Sequence, residues 1–300
     1  QRVKRFDAVP LVALTVNQEG LDALARDPDV LAVHVDEVAE PALATSTARV
    51  GATTAWASGF TGAGRSIAII DTGVDATHPE LAGKVVAEAC YSTSFTSSSF
   101  TSTAVCPIEI APAGPSSAVG PGAAAPSPIA GTQGRHGTNV AAIAAGGSGA
   151  PGSGVAPGAS IVAVQAFSEF DAEYCGGSVC ARTYASDQIK ALEFAYVRRA
   201  EHNIVAVNMS LGGSKHTTAC GSDSRRPIIQ NLRAAGIATV VSSGNDGYVD
   251  AVGAPACIPE AVSVGATSKT TDAVGAFSNS ASLVDLLAPG ISIRAAIPGE

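Results

Sequence analysis

Residues 66–75 read Ser66-Ile67-Ala68-Ile69-Ile70-Asp71-Thr72-Gly73-Val74-Asp75. The first five positions form a continuous apolar run of the kind buried on both faces in a parallel sheet, and a carboxylate and a small turn follow at once. Further runs of this type occur at Ile161 to Ala166, Ile204 to Met209, Ile237 to Ser242 and Ala261 to Val264. Helical spacing separates them at His136 to Ala145, Ser186 to Arg199 and Pro227 to Ala235. Strands alternating with helices predict an α/β fold with a doubly wound, mainly parallel sheet and right-handed crossovers. In such sheets the functional site lies beyond the carboxyl ends of the strands, so the residues just after each run are the candidates.

Working outward toward the amino terminus, Pro10 to Asn17 and Val30 to Val38 alternate as strands, and Glu19 to Asp29 carries helical spacing. This small α+β piece is followed by Pro41 and the small, polar stretch Ala42 to Thr47, which reads as a linker. The expected organisation is a first domain at 1–44 and a second at 45–300. Within the second, residues 91–131 are rich in Ser, Thr, Ala, Pro and Gly with little periodicity and read as a surface insertion.

The 300 residues carry a net charge of -8. That balance offers no basic surface broad enough for a phosphate backbone, so nucleic acid is not an expected partner. No apolar run approaches the length of a membrane span, and no membrane partner is expected. The first ten residues, QRVKRFDAVP, lack the apolar stretch of a secretion signal and are read as a fragment boundary. Six cysteines in turn-rich surroundings without a tight CxxC pair argue for disulfides in an oxidising compartment rather than for zinc. The pairing preferred here is Cys90 with Cys106, Cys175 with Cys180 and Cys220 with Cys257, among the many connectivities that six cysteines allow.

Asp71 admits several readings: a strand-end turn residue, a ribose-binding acid, the Asp-Thr-Gly of an aspartic protease, or the orienting carboxylate of a histidine. An aspartic protease needs two such carboxylates sharing a proton, and the chain has one Asp-Thr-Gly. A dinucleotide site needs a glycine-rich turn after the strand, whereas Gly62-Ala63-Gly64 precedes it. The second motif, Gly134-Arg135-His136-Gly137-Thr138, puts a histidine among small residues at a helix start, where it can take a proton at neutral pH. The third, Ser242-Ser243-Gly244-Asn245-Asp246-Gly247, presents an amide on a glycine-flanked turn. Asn245 could donate to a developing oxyanion or could serve as an ordinary turn asparagine. Asn208-Met209-Ser210-Leu211-Gly212-Gly213 ends a strand with an open backbone edge to which an extended peptide could add.

The ordered set Asp-Thr-Gly-Val-Asp, His-Gly-Thr, Asn-Met-Ser-Leu-Gly-Gly, Ser-Gly-Asn-Asp-Gly and Ala-Pro-Gly resembles the signature of the subtilases, the subtilisin-like serine proteases, across Ala52 to Glu300. The resemblance implies that Asp71 orients His136, that His136 acts as general base and then acid, and that Asn245 supplies the oxyanion donor. It further implies that Ser210, Leu211, Gly212 and Gly213 flank a bound peptide together with Ser242, Ser243 and Gly244, with Gly253 at the floor of the first specificity pocket. A glycine there leaves room for a large side chain, and Asp246 at the rim would favour a basic one. The nucleophilic serine of the family follows the Ala-Pro-Gly segment, here Ala288-Pro289-Gly290, in a Gly-Thr-Ser-Met-Ala-like helix start, and no such motif occurs before Glu300. The chain is therefore read as a fragment that ends before its nucleophile, inactive by itself, with one sheet face left uncovered. By the same resemblance residues 1–44 are part of an inhibitory propeptide that occupies the cleft, released by cleavage within Pro41 to Thr47.

The implied protein is a secreted, monomeric serine endopeptidase that acts on polypeptide through an acyl-enzyme and needs no cofactor for its chemistry. Asn139 stands where many relatives have a second histidine, and the stretch Gly146 to Gly154 lacks the Asn and Asp side chains of the family's best-known calcium loop, so no metal ligand is assigned. Two rivals remain: a peptide-binding pseudoprotease whose serine is absent or replaced, and a dinucleotide-binding oxidoreductase of the same fold class.

Overall fold

The computed structural model describes residues 3–5, 12–14, 16–30, 33, 42–107, 114–129, 132–147 and 153–299. The chain divides into two compact units, residues 1–40 and 41–300. In the first, strands β1 (Val3–Arg5) and β2 (Val12–Leu14) pair antiparallel, and helix α1 (Gln18–Leu24) follows, capped by the Asn17 side chain on the Gly20 amide. The strand expected at Val30 to Val38 lies largely outside the described residues.

The second unit opens with α2 (Ala42–Arg49) and α3 (Ala52–Ala57). The segment read as a linker is thus helical from Ala42. Alanine, leucine and arginine are strong helix formers, and the small polar residues Ser46 and Thr47 are buried rather than exposed as linker residues would be. Next come β3 (Ser66–Asp71), β4 (Val85–Thr96), β5 (Thr101–Ala104), β6 (Gly114–Val119), α4 (Thr132–Ala145), β7 (Ser160–Gln165) and β8 (Ser168–Phe170). They are followed by α5 (Ala172–Cys175), β9 (Cys180–Arg182), α6 (Ala185–Arg198), β10 (Ile204–Met209), β11 (Lys215–His216) and α7 (Arg226–Ala234). The last elements are β12 (Ala238–Ser242), β13 (Val252–Gly253), β14 (Val262–Ser268) and β15 (Leu286–Ile291).

Eleven of these strands form one sheet in the order β15-β14-β12-β10-β3-β7-β4-β5-β8-β9, with β6 also on β4. From β15 to β4 every pairing is parallel, and β5, β6, β8 and β9 extend the sheet antiparallel. The fold is the doubly wound α/β architecture expected from the apolar runs. Among the described residues, the stretch 91–131, read from the sequence as a surface insertion, carries strands. It holds the second half of β4 and all of β5 and β6, and its Ser92, Ser94, Ser102, Ala104 and Cys106 are buried. Strands this short and rich in hydroxyl side chains give little apolar alternation, which is why their order escapes a reading by periodicity.

The two-residue period of the strands splits the core. Ala68 and Ile70 of β3 and Val162 and Val164 of β7 face one side, where they meet Ala191, Leu192 and Ala195 of α6 and Ile229 and Leu232 of α7. Ile69, Ile161 and Ala163 face the other, against Ala141, Ala142 and Ala145 of α4. Farther along the sheet that second face is open. Ala206, Asn208, Val240, Ser242, Val262, Val264 and Ala266 lie there in register and are all partly exposed, and Leu286 beside Val264 is 58% exposed. Parallel sheets are normally covered on both faces, and this stripe departs from that rule.

All six cysteines are bonded in the preferred pairing, Cys90–Cys106, Cys175–Cys180 and Cys220–Cys257. Among the described residues no helix is long and apolar enough to cross a membrane.

Candidate active site

The sheet order places a crevice where the chemistry-bearing motifs converge. From β3 the chain winds to β4 and β7 on one side, then crosses back to β10, β12 and β14 on the other. Ligands of doubly wound sheets bind at such a switch point, beyond the carboxyl ends of the strands, and Asp71 and Ser210 stand just there.

Asp71 is fully buried at the end of β3, and its Oδ1 accepts from the Thr72 amide at 2.7 Å. The same oxygen lies 2.7 Å from His136 Nδ1, across 65 residues of sequence. Two glycines permit this approach. A Cβ on Gly137 would come within 2.2 Å of Gly73 O and 3.1 Å of Asp71 Cβ, and one on Gly73, at φ 98°, would meet Ala125 O at 2.2 Å. The Thr72 hydroxyl accepts from the Gly137 amide at 3.1 Å and the Thr138 hydroxyl from the Asp75 amide at 2.9 Å. Each threonine therefore locks its own motif to the other.

The hydrogen bond to Asp71 raises the His136 pKa above its ordinary 6.5, burial opposes it, and the charge of Asp71 adds to the rise. With Nδ1 donating to a carboxylate, the neutral ring carries its lone pair on Nε2. The side chain is 46% exposed while Asp71 is sealed, so the free edge of the imidazole faces solvent in the cleft.

That cleft has a volume of about 790 Å³ and brings together His136, Ser210, Leu211, Gly212, Gly213 and Asn245. A smaller cavity of about 210 Å³ shares Ser210 and Asn245 and is lined also by Ser242, Ser243 and Gly244 and by Ala288, Pro289 and Gly290. The two spaces meet at the candidate oxyanion donor. Asn245 is exposed, and no hydrogen bond to another described residue occupies its side chain. Gly253 lines neither space. Its amide donates to Ser243 O at 2.8 Å, the Gly213 amide donates to Ala254 O at 2.8 Å, and a Cβ on Gly253 would sit 3.2 Å from Gly213 O. It therefore joins the two strips that carry Gly213 and Ser243.

Several cleft residues escaped the reading by motif. Phe100, Phe170, Tyr174 and Tyr184 line the cleft with Arg182 and Arg225. Phe100 stacks on Phe170 at 5.5 Å, Tyr174 lies 5.1 Å from Phe100, and Tyr184 lies 5.4 Å from Phe170. The Ser102 and Tyr184 hydroxyls share a hydrogen bond of 2.7 Å, so the strands of residues 91–131 build part of the wall. Arg225 is bound by Asp223 and by Gln188 Oε1 at 2.8 Å, and this guanidinium holds the Asp223 carboxyl below its usual range. Among the described residues, the grouping of metal-ligand side chains within 4.8 Å of one another is His216, Cys220 and Cys257, whose two thiols are consumed in a disulfide.

Residues 62–297 match the sequence profile of the subtilase family. The chain belongs to the subtilase family. It is 28% identical to subtilisin E of Bacillus subtilis (strain 168), over 99% of its own length and 66% of that protein's. It is 28% identical also to alkaline elastase YaB of Bacillus sp. (strain YaB), over 98% of this subtilase and 64% of that relative. The chain thus spans just under two thirds of the curated relatives it matches. A solved cold-adapted subtilisin-like serine proteinase superposes with a TM-score of 0.52 at 26% identity, covering 79% of this chain and 67% of that one. The prenylagaramide maturation protease PagA shares the fold at a TM-score of 0.57 and 21% identity, over 83% and 71% of the two chains.

Proposed function

We propose that this subtilase is a secreted serine endopeptidase that hydrolyses polypeptide through an acyl-enzyme. The observation that carries the reading is the 2.7 Å contact between a sealed carboxylate and the Nδ1 of a histidine whose other edge opens into a cleft shared with an unbonded asparagine amide. Asp71 holds the Nδ1–H tautomer and stabilises the imidazolium. His136 Nε2 takes the proton of a serine hydroxyl as it attacks the scissile carbonyl, then returns that proton to the departing amine. Asn245 donates to the oxygen that gains charge, where a fixed dipole in a dry site is worth most. The strips Ser210 to Gly213 and Ser242 to Gly244 pair with the peptide, and Gly253 holds the two strips together. The chemistry uses side chains alone.

The nucleophile in this proposal sits on a helix that follows Glu300. Supporting it are the half-exposed stripe over β10, β12, β14 and β15 and the smaller cavity at its head, which Ala288-Pro289-Gly290 and Asn245 both line. In this reading residues 1–44 belong to an inhibitory propeptide, released by cleavage within 41–47, where the first turns of α2 must open to admit a protease. Three disulfides fit an extracellular, oxidising compartment.

The test is hydrolysis of an unfolded protein substrate by the full-length product after propeptide removal, wild type against His136→Ala. Turnover by the wild type and its loss in the variant support the enzyme. A folded, propeptide-free wild type that binds peptide without cleaving it is a pseudoprotease.

A further inference from the structure

Asn245 can act as an oxyanion donor only if its backbone is held still, yet it sits on an exposed turn at the rim of two cavities. The residue that fixes the turn is Asn279, 34 positions later and fully buried. Its Oδ1 accepts from the Asp246 and Tyr248 amides, both at 3.0 Å. Its Nδ2 donates to Ser243 O at 3.0 Å and to Asp246 Oδ2 at 3.1 Å. Its main chain continues the pattern, the amide donating to Gly244 O at 3.0 Å while the Ser243 hydroxyl donates to Asn279 O at 2.9 Å. Neighbours complete the seam, with the Gly247 amide on Phe277 O at 2.7 Å and the Ser280 amide on Tyr248 O at 2.7 Å.

Residues 243, 244, 246, 247 and 248 are therefore all tied to residues 277–280, and Asn245 between them is not. The arrangement also explains two residue choices. A Cβ on Gly244, at φ 110°, would lie 2.3 Å from Asn279 Nδ2, so the clamp itself demands a glycine before the donor. An aspartate at 279 would set a carboxylate oxygen against Ser243 O and the Asp246 carboxylate, where only an N–H donor fits.

We propose that Asn279 is the positioning residue of the oxyanion donor: it touches no substrate and acts by holding the 243–248 turn so that the Asn245 amide is preorganised over the cleft. The inference rests on the proteolytic reading above. Oxyanion stabilisation depends on donors placed within tenths of an ångström before the reaction begins, so a loosened turn loses transition-state binding while leaving substrate binding in place.

The experiment is a double-mutant cycle on the full-length, propeptide-free enzyme, with kcat and KM measured for wild type, Asn245→Ala, Asn279→Ala and Asn245→Ala/Asn279→Ala. Asn245→Ala should cost about 10²–10³ in kcat, the scale known for this donor in subtilisin itself. Asn279→Ala should lower kcat by about 10–100-fold with KM within about twofold, and should lower it less than about threefold when Asn245 is already alanine. Asn279→Ser, whose uncharged hydroxyl can still donate on the side where Nδ2 donates, replaces Asn279→Ala in the cycle if the alanine variant does not fold, with the same non-additivity expected. Equal losses in both backgrounds, or a rise in KM with kcat unchanged, overturn the positioning role while leaving the protease reading intact. A folded wild type without turnover overturns that reading, and this one falls with it.

Discussion

A methyl group on Gly137 would lie 2.2 Å from the carbonyl oxygen of Gly73, so the two motifs that carry the acid and the base touch backbone to backbone. Nothing larger than hydrogen fits between them. Gly137→Ala should force the start of α4 away from the β3 turn, destabilise the protein by about 1–3 kcal/mol and lengthen the Asp71–His136 contact. Thermal unfolding reads the first effect, and a fall of the His136 pKa toward its unperturbed value by NMR titration reads the second.

The raised pKa of His136 fixes the sign of two pH effects. The Asp71 partnership favours the imidazolium in the folded state, so its contribution to stability is full below the unfolded pKa of about 6.5 and is lost as pH rises through the higher folded value. Activity runs oppositely, because the base must be neutral, and the acid limb of kcat/KM should lie above pH 6.5. Asp71→Asn should move that limb down and cut kcat by about 10⁴-fold. A pH–rate profile of both proteins checks the pair.

Asp187, in the first turn of α6, is 3% exposed, and its pKa is pushed up to about 6 by burial, which outweighs the hydrogen bond from the Thr93 hydroxyl at 3.0 Å. Among the described residues its Oδ2 has no hydrogen-bond partner. Because the folded pKa exceeds the unfolded one, the wild type loses stability between about pH 4 and pH 6. Asp187→Asn should match wild type near pH 4 and exceed it by up to about 3 kcal/mol at pH 8, less the cost of its own unbonded N–H. Urea midpoints at the two pH values measure the gap.

The aromatic wall predicts a length dependence of substrate recognition. Tyr174 is 53% exposed and packs its ring at a tilt against Phe100 and Phe170 in the wall of the cleft. Phe100→Ala and Tyr174→Ala should raise KM about tenfold for peptides long enough to reach them, leave kcat in place and spare short substrates. An equal effect on short and long substrates would move the wall out of the binding path.

How much of this was legible in the sequence follows from what each element must do. Strands β3, β7, β10, β12 and β14 are buried on at least one face, so they read as apolar runs, and their alternation with the helices predicts the parallel sheet. Asp71 and His136 stood out because a carboxylate at a strand end and a histidine among glycines are uncommon arrangements with definite uses. The cleft wall was hidden. Phe170 ends the three-residue β8, Tyr174 lies in the four-residue α5, Phe100 stands just before β5 and Tyr184 is the N-cap of α6, so none belongs to a segment long enough to show a period. Asn279 was hidden for another reason: an asparagine in a turn needs no explanation until its four partners are seen. The helix at 42–49 was masked by small residues that suit a linker equally well.

The most direct test of the central claim is fluorophosphonate labelling of the full-length, propeptide-free protein with peptide mapping of the adduct, since only an activated serine reacts readily. The account predicts a single adduct on a serine shortly beyond Glu300, abolished by His136→Ala. A correctly folded protein that takes up no label, or one whose labelling survives His136→Ala, would contradict it.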